Sequence, residues 1–385
     1  DGRDRVLYVK YYTSYECLEG AAIIDENQNL VPVPLQVSKN FAFDKEEPFY
    51  DPNDVPYSHT IFPVHVNANG SVKYTVFNLY QNWGKYPLKQ ISSVAFHNAY
   101  YHLSTGVTET NCIAIHKYNE MLPDFRVRSG TIWSELEQYK ETNTLFPQYN
   151  ALGRIGFVEY VNSKGEPVTM QYKKSEILSS GPVFADMIYY FEANDNSVSY
   201  SLRHMEMPQT DENRTYYSLS LKFNKDVAFS DVKNQLVLFK FNSNLQTYKS
   251  IGYLNSKNKI TYKELDLTKD LAETLVLGDE AAFFDYFNTT TSITRGNNRN
   301  IGNFAMLIKE SYISQNGKAW NGNFAVRHEY DHATKLNTMY LTLNAEKMSF
   351  KKGDVVQINF ILLPWGEAIE TTDDKVLAVR EDSLV

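Results

Sequence analysis

The sequence predicts an all-β protein made of two packed antiparallel β-sandwich domains, of jelly-roll or super-sandwich type, with few short helices. Many short segments rich in Tyr, Phe, Val and Ile alternate with polar residues, as half-buried strands do. Turn sequences such as Asn69-Gly70 and 162–165 (Asn-Ser-Lys-Gly) separate them. No internal repeat of about 20–50 residues is visible, which disfavours a propeller or a β-helix.

The N-terminal part contains a series of segments with the alternation of strands. They cover residues 5–12, 20–24, 30–37, 59–67, 72–79, 90–103 and 111–118. The turn Asn69-Gly70 favours a hairpin between the two segments that flank it. Residues 43–57 contain Pro48, Pro52 and Pro56, so we expect a long surface loop there and not a central strand.

The C-terminal part repeats this pattern. Its expected strands cover residues 154–161, 168–172, 183–191, 197–207, 215–223, 235–241, 305–310, 324–330, 338–343 and 355–363. Short helices are expected at 133–139, where Ser-Glu-Leu-Glu favours a helix, and at 268–286. The strand pattern is weakest in 128–152, so we predict a boundary there and two domains, residues 1–145 and 150–385.

Composition limits the function classes. The net charge of −8 and the pI of about 5.6 provide no basic surface for nucleic acid. No apolar run reaches the ~20 residues of a membrane-spanning helix. Cys17 and Cys112 are the only cysteines; two buried thiols are favoured over one bridge, and their pairing stays open. The GxSxG elbow, the Walker phosphate loop and an HExxH helix are not found, which disfavours the best-marked hydrolase, nucleotide-binding and metalloprotease classes. We expect no cofactor.

The densest polar stretch of the chain is 203–214. Strand parity places His204 and Glu206 on one face, about 6.5–7 Å apart at Cα, and Arg203 on the other. The charged residues that follow this strand are Asp211, Glu212 and Arg214. A histidine beside a carboxylate can act as a general base, and an arginine can orient an anionic substrate group. The alternative is a solvated strand end with one ion pair.

A second cluster of histidine and tyrosine lies in 96–109. His97 and Tyr101 share one face of the expected strand, His102 lies on the other, and Glu109 follows a glycine turn. Tyrosine and histidine in a cleft can bind a sugar or remove a proton next to a uronate carboxylate. The alternative is an aromatic sandwich face with buried, hydrogen-bonded histidines.

A third cluster, 327–332, contains His328 and His332. In an extended segment, histidines four residues apart are too far from each other for a local metal pair, and a zinc site would need a ligand from elsewhere. We therefore predict no metal site.

Aromatic strands, long Asn-rich loops, and Tyr, His, Arg and carboxylate clusters at strand ends together resemble the β-sandwich modules of secreted carbohydrate-active enzymes. This resemblance implies a glycan as the substrate or partner. It also implies an extracellular or cell-surface location. A homo-oligomer and a position within a longer chain are both compatible with the sequence.

The first hypothesis is a glycoside hydrolase that acts on a polysaccharide or oligosaccharide with paired carboxylates. The candidate catalytic residues are Glu206, paired with one of Glu109, Asp211 and Glu212, and His204. The candidate substrate-binding residues are His97, Tyr101, His102, Arg203, Arg214 and Trp83.

Two alternatives remain at this point. A polysaccharide lyase would use Tyr101 or His102 as the base, and Arg203 or Arg214 would hold the uronate. A non-catalytic glycan-binding or structural β-sandwich would need no converging acids and would use exposed aromatic residues such as Trp83 as a stacking platform.

Overall fold

The computed structural model of the chain describes residues 3–13, 18–29, 31, 33–39, 58–80, 93–97, 100–104, 108–114, 120–122, 124–128, 149–180, 184–206, 215–229, 236–243, 248–278, 283–288, 303–345 and 348–365. Every regular element in these ranges is a strand, so the all-β prediction is confirmed. The same ranges contain no helix long and apolar enough to cross a membrane. The helix expected at 268–286 is wrong, because Leu271–Val276 and Phe283–Asn288 are strands. The helix expected at 133–139 lies outside the described residues.

The strands follow one another along the whole chain. The first ten are β1 (Arg5–Thr13), β2 (Leu18–Ile24), β3 (Gln36–Lys39), β4 (Ser58–Val66), β5 (Thr75–Tyr80), β6 (Ser93–His97), β7 (Tyr100–Ser104), β8 (Thr108–Ala114), β9 (Glu120–Leu122) and β10 (Asp124–Arg128). The next ten are β11 (Tyr149–Val161), β12 (Pro167–Val168), β13 (Met170–Ser180), β14 (Ala185–Ala193), β15 (Val198–Glu206), β16 (Thr215–Phe223), β17 (Val227–Ala228), β18 (Val237–Ser243), β19 (Tyr248–Leu254) and β20 (Ile260–Glu264). The last are β21 (Leu271–Val276), β22 (Phe283–Asn288), β23 (Asn303–Gln315), β24 (Lys318–Ala319), β25 (Phe324–Asp331), β26 (Leu336–Leu343), β27 (Ser349–Phe350) and β28 (Val355–Trp365).

Two large antiparallel sheets contain most of these strands. The eleven-stranded sheet has the order β21-β25-β26-β18-β11-β10-β8-β7-β6, with β12 on β11 and β9 on β8. The ten-stranded sheet has the order β13-β14-β15-β16-β28-β23-β22-β19-β20, with β24 on β23. Three small sheets complete the described structure: β1-β4-β3, β2-β5 and β17-β27.

The two large sheets pack face to face through buried aromatic rings. Phe157 of β11 lies 5.6 Å from Tyr217 of β16 between ring centroids. Phe239 of β18 lies 6.1 Å from Phe360 of β28. All four side chains belong to the main hydrophobic core. Large aromatic side chains remove about 150–250 Å² each from water, so this aromatic layer contributes strongly to the packing of the two sheets.

The predicted division into residues 1–145 and 150–385 stays a prediction. The eleven-stranded sheet contains strands from both ranges, because β10 pairs with β11 in it. A second, small core lies in the N-terminal part, where Ile23, Leu35, Phe62 and Val64 pack together.

The two turn sequences led to different outcomes. The turn at 162–165 joins a hairpin as predicted: Tyr160 lies opposite Val168, and Gly165 has a φ of 82°. The turn at Asn69-Gly70 also forms, with Asn69 at a φ of 54°. The hairpin expected around it is wrong, since β4 pairs with β1 and β3 whereas β5 pairs with β2. A turn sequence determines where the chain reverses, but packing of distant residues selects the strand partner.

The buried carboxylate of Asp354 connects two turns. It accepts backbone N–H groups from Asn316 at 2.6 Å, from Gly317 at 2.9 Å and from Lys351 at 2.7 Å. Burial alone would raise the pKa of Asp354, but these backbone hydrogen bonds outweigh it and the pKa is lowered. The β23–β24 turn and the turn before β28 are therefore held together by one charged group.

Candidate functional site

A shallow groove lies on the outer face of the ten-stranded sheet, the face directed away from the main core. We call it the outer-face groove, and its volume is about 210 Å³. It is lined by Arg203 and Met205 of β15, Tyr216, Tyr217 and Ser218 of β16, Lys309 of β23, and Asn359, Phe360 and Ile361 of β28. The side chains of Tyr217 and Phe360 are buried in the main core on the other face of the sheet. The lining residues come from four strands that are neighbours in the sheet, so the groove crosses the strands.

A row of polar residues forms one side of the groove and continues beyond it to Glu310, which does not line the groove. Arg203, Ser218, Asn359 and Glu310 lie opposite one another on successive strands. The Ser218 hydroxyl donates to Asn359 Oδ1 at 2.6 Å, and Asn359 Nδ2 donates to Glu310 Oε2 at 3.0 Å. These bonds fix the amide orientation and leave acceptor and donor capacity toward solvent.

A row of largely apolar residues runs beside the polar one. Met205, Tyr216 and Ile361 lie opposite one another on β15, β16 and β28. Met205 and Tyr216 are partly exposed, whereas Ile361 is buried. Each is two residues from its neighbour in the polar row, which corresponds to about 6.5–7 Å along a strand. The outer-face groove therefore presents hydrogen-bonding groups and apolar surface side by side.

Arg203 is held at the groove by Asp186 of β14. Arg203 donates from Nε to Asp186 Oδ1 at 3.0 Å and from Nη2 to Oδ2 at 2.6 Å. The Asp186 side chain is 2% exposed, whereas the Arg203 side chain is 51% exposed. The hydrogen bonds from Arg203 to Asp186 raise the pKa of Arg203. The guanidinium is thus fixed and permanently charged, with Nη1 outside this pair of bonds.

The structure confirms the parity expected for β15 but places His204 in the core. Tyr200, Leu202 and His204 are buried, and Arg203 lies on the outer face. The His204 ring stacks on Tyr217, with 4.6 Å between centroids and an interplanar angle of 11°. His204 and Arg203 therefore belong to opposite sides of the sheet.

The other predicted residues are placed by their strands alone. Glu206 ends β15 opposite Ala185 and Thr215. His97 ends β6, whereas Tyr101 and His102 lie in β7. Glu109 lies in β8. Asp211, Glu212, Arg214 and Trp83 lie outside the described residues.

Strands β7 and β15 approach each other to within 8 Å between Cα atoms, so the two predicted clusters lie on strands that meet. The catalytic and binding roles of these residues stay predictions.

Within the third cluster, residues 328–332 match the sequence pattern HExxH. They lie on strand β25 and at its end, however, and not on a helix. His328 is fully buried, and its Nε2 lies 3.3 Å from Asn337 Oδ1. His332 is exposed beyond the strand end, with Nδ1 3.2 Å from the backbone oxygen of Leu267. In the part of the chain that the structure describes, no group of three metal-ligating side chains converges.

Burial of His328 predicts a loss of stability in mild acid. Desolvation lowers its pKa from 6.5 to about 4, although the Asn337 hydrogen bond and the charge of Glu273 act in the opposite direction. In the unfolded chain the imidazole takes up a proton near its ordinary pKa of about 6.5. Its neutral form therefore supports folding fully above that pH, and this contribution is lost as the pH falls toward 4. We expect a decrease of about 3 kcal/mol in the free energy of unfolding, on the order of the pKa difference.

Urea unfolding at pH 7, 5 and 4 measures this decrease. His328→Gln should flatten the dependence between pH 6.5 and 4. An equally steep decline in the variant would show that another group causes it.

Sequence reasoning missed most of the groove. Ser218, Lys309 and Asn359 of the groove, and Glu310 beside it, were not among the candidate residues. The alternation of polar and apolar residues in two strands could have indicated them. Ser218 is followed by buried Leu219, and Asn359 lies between buried Ile358 and Phe360.

No protein-family model matches the sequence. No curated protein matches it either. Several solved structures of α-galactosidases are similar over part of their length.

The galactosidase domain of the α-galactosidase-sucrose kinase AgaSK is 13% identical, with a TM-score of 0.44 over 72% of this chain and 42% of that structure. The GH36 α-galactosidase AgaB from Geobacillus stearothermophilus is 10% identical, with a TM-score of 0.43 over 70% of this chain and 40% of its own. The α-galactosidase from Lactobacillus brevis is 12% identical, with a TM-score of 0.42 over 71% and 41%. The chain thus spans less than half the length of these structures. At such TM-scores the similarity carries no argument about activity or substrate.

Proposed function

We propose that this chain binds a glycan in the outer-face groove. The observation that carries the proposal is the pair of adjacent rows on one open sheet face, one polar and one largely apolar. A sugar ring has the same division, because its hydroxyl groups project from the ring edge while its faces carry C–H groups. Ser218 and Asn359 can hydrogen-bond hydroxyls, and the partly exposed Met205 and Tyr216 can contact the C–H surface.

The size of the groove favours part of a longer glycan over an enclosed small molecule. Its volume of about 210 Å³ is below the ~300–1,000 Å³ of pockets that engulf a drug-sized ligand. Because the groove crosses four strands on an open face, a chain of sugars can enter and leave it without a gate. We therefore expect an oligosaccharide or polysaccharide as the ligand.

Asn359→Ala is expected to weaken glycan binding about tenfold, the equivalent of one good hydrogen bond at ~1.4 kcal/mol. The change removes the amide that links Ser218 to Glu310. The matched control is Gln357→Ala on the same strand and face, because Gln357 is exposed and does not line the groove.

Titration calorimetry against a panel of plant, algal and host glycans would first identify a ligand for the unmodified chain. If Asn359→Ala and Gln357→Ala lost the same amount of glycan affinity, the glycan would not bind in the outer-face groove. No binding by the unmodified chain to any glycan would reject the proposal.

Hydrolysis of the glycan is the second candidate function, favoured by the approach of β7 and β15. These strands and their neighbour β8 carry Glu206, His204, Tyr101, His102 and Glu109. The acid pair would be Glu206 with Glu109, Asp211 or Glu212. A separation of about 5–5.5 Å would predict retention, and about 6.5–9.5 Å would predict inversion.

Release of reducing ends from the glycan panel tests the hydrolase. Glu206→Gln should abolish that release while binding to the outer-face groove persists. A new ultraviolet absorbance from an unsaturated uronate would instead indicate a lyase with Tyr101 or His102 as the base. Binding without either product would support a non-catalytic role. An extracellular or cell-surface location is part of this proposal and is tested by fractionating the producing cells.

A further inference from the structure

Strand β1 exposes apolar side chains on both of its faces. The exposed fractions are 58% for Val6, 49% for Leu7, 74% for Tyr8 and 39% for Val9. Because side chains alternate along a strand, Val6 and Tyr8 project from one face and Leu7 and Val9 from the other. Four consecutive exposed apolar residues are unusual on a soluble surface and indicate a contact surface.

The same strand lies at the edge of its sheet. Among the described strands, β1 pairs only with β4, and the sheet order is β1-β4-β3. An edge strand presents unpaired N–H and C=O groups that a further strand can bind. Proteins usually protect such an edge with proline, an inward charge or a bulge, but Val6–Val9 contains none of these, and its pairing with β4 is regular.

We propose that β1 pairs antiparallel with β1 of a second copy of this chain, with Leu7 on the two-fold axis. In this register Asp4 lies opposite Lys10 of the second copy, and Val6 lies opposite Tyr8. Symmetry repeats both pairs. Opposite charges and aromatic–β-branched pairs are the cross-strand combinations that stabilise antiparallel sheets.

Charge complementarity selects both the occupant and this register. Moving the axis to Val6 places Asp4 opposite Tyr8, and moving it to Tyr8 places Lys10 opposite Val6. Neither shift aligns opposite charges. The carboxylate of Asp4 is held at the beginning of β1, because its Oδ1 accepts the backbone N–H of Ala68 at 2.7 Å. An isologous contact of this kind closes after two copies, so it forms a dimer and not a fibre.

Cross-linking tests the position of the axis. Leu7→Cys should be joined into a covalent dimer by a short bismaleimide, since cross-strand partners lie only about 4.5–5.5 Å apart at Cβ. Leu336→Cys is the matched control, because Leu336 is also an exposed leucine but belongs to β26 of the eleven-stranded sheet, whereas β1 lies in a separate small sheet. Covalent dimer in the control at the same rate, or none in Leu7→Cys, would overturn the proposal.

Sedimentation equilibrium tests the charge pairing. The unmodified chain should show a reversible monomer–dimer equilibrium. Lys10→Glu should raise the dimer dissociation constant at least about tenfold, since a like charge would then face Asp4 in both symmetric pairs. Addition of Asp4→Lys to Lys10→Glu should restore the dimer.

Circular dichroism would verify that each variant is folded. A folded monomer at every concentration of the unmodified chain overturns the proposal, as does a strand of a different protein bound at β1. If the folded double variant Asp4→Lys/Lys10→Glu does not regain the dimer, the register with Leu7 on the two-fold axis is wrong. None of these outcomes depends on glycan binding in the outer-face groove.

Discussion

Phe360→Ala is expected to lower the free energy of unfolding by about 3–5 kcal/mol, the usual cost of removing a large aromatic side chain from a core. Phe360 is buried and contacts rings from both large sheets. Its centroid lies 5.1 Å from Tyr217, 6.3 Å from Phe157 and 6.1 Å from Phe239. The truncation would leave a cavity in the layer that joins the sheets.

Urea denaturation measures this loss as a lower transition midpoint with an unchanged m-value. Phe360→Leu should cost less, because it leaves a smaller cavity. Tyr312→Ala is the exposed aromatic control, since Tyr312 is 55% exposed on neighbouring β23, and should change stability by no more than about 0.5 kcal/mol. Equal losses in Phe360→Ala and Tyr312→Ala would show that the aromatic layer does not hold the sheets together.

Arg203→Ala is expected to affect both stability and glycan binding. Loss of one partner from a fully buried ion pair costs about 3–5 kcal/mol. Because Arg203 is half exposed, water can replace part of its interaction with Asp186, and we expect about 2 kcal/mol. The same change removes a charged donor from the outer-face groove, which should weaken glycan binding about tenfold.

A second change separates the two effects. Asp186→Asn in the Arg203→Ala background removes the unpaired buried charge, so stability should recover while glycan binding stays weak. Lys174→Ala is the control, because its pair with Glu176 is exposed on both sides and should contribute less than about 1 kcal/mol. Recovery of binding together with stability would mean that Arg203 acts only through the fold.

The sequence predicted local features of this fold well. Period-two alternation identified β15, β16, β25 and β28, and it correctly separated buried His204 from exposed Arg203. Such alternation is a property of a few adjacent residues, and one buried sheet face is enough to produce it.

Features that depend on distant residues could not be predicted in the same way. Ala, Glu and Leu in 271–276 favour a helix intrinsically, but pairing with β25 makes this segment a strand. The outer-face groove joins Ser218 to Asn359, which are 141 residues apart in the chain. Only the order of strands in the sheet makes them neighbours, and no local pattern contains that order.

The carboxylate of Asp354 limits where residues can be inserted into this surface. The turns that it connects, at 316–317 and at 351, share one acceptor. Exposed turns usually tolerate inserted residues because little else depends on their backbone. Here an insertion in either turn would withdraw N–H groups from Asp354 and leave a buried charge with fewer donors. The two turns therefore form a single unit for loop grafting or epitope insertion. Such additions are better placed at 163–165, where the chain is exposed and the turn's N–H groups bond to the neutral amide oxygen of Asn162 and not to a buried carboxylate.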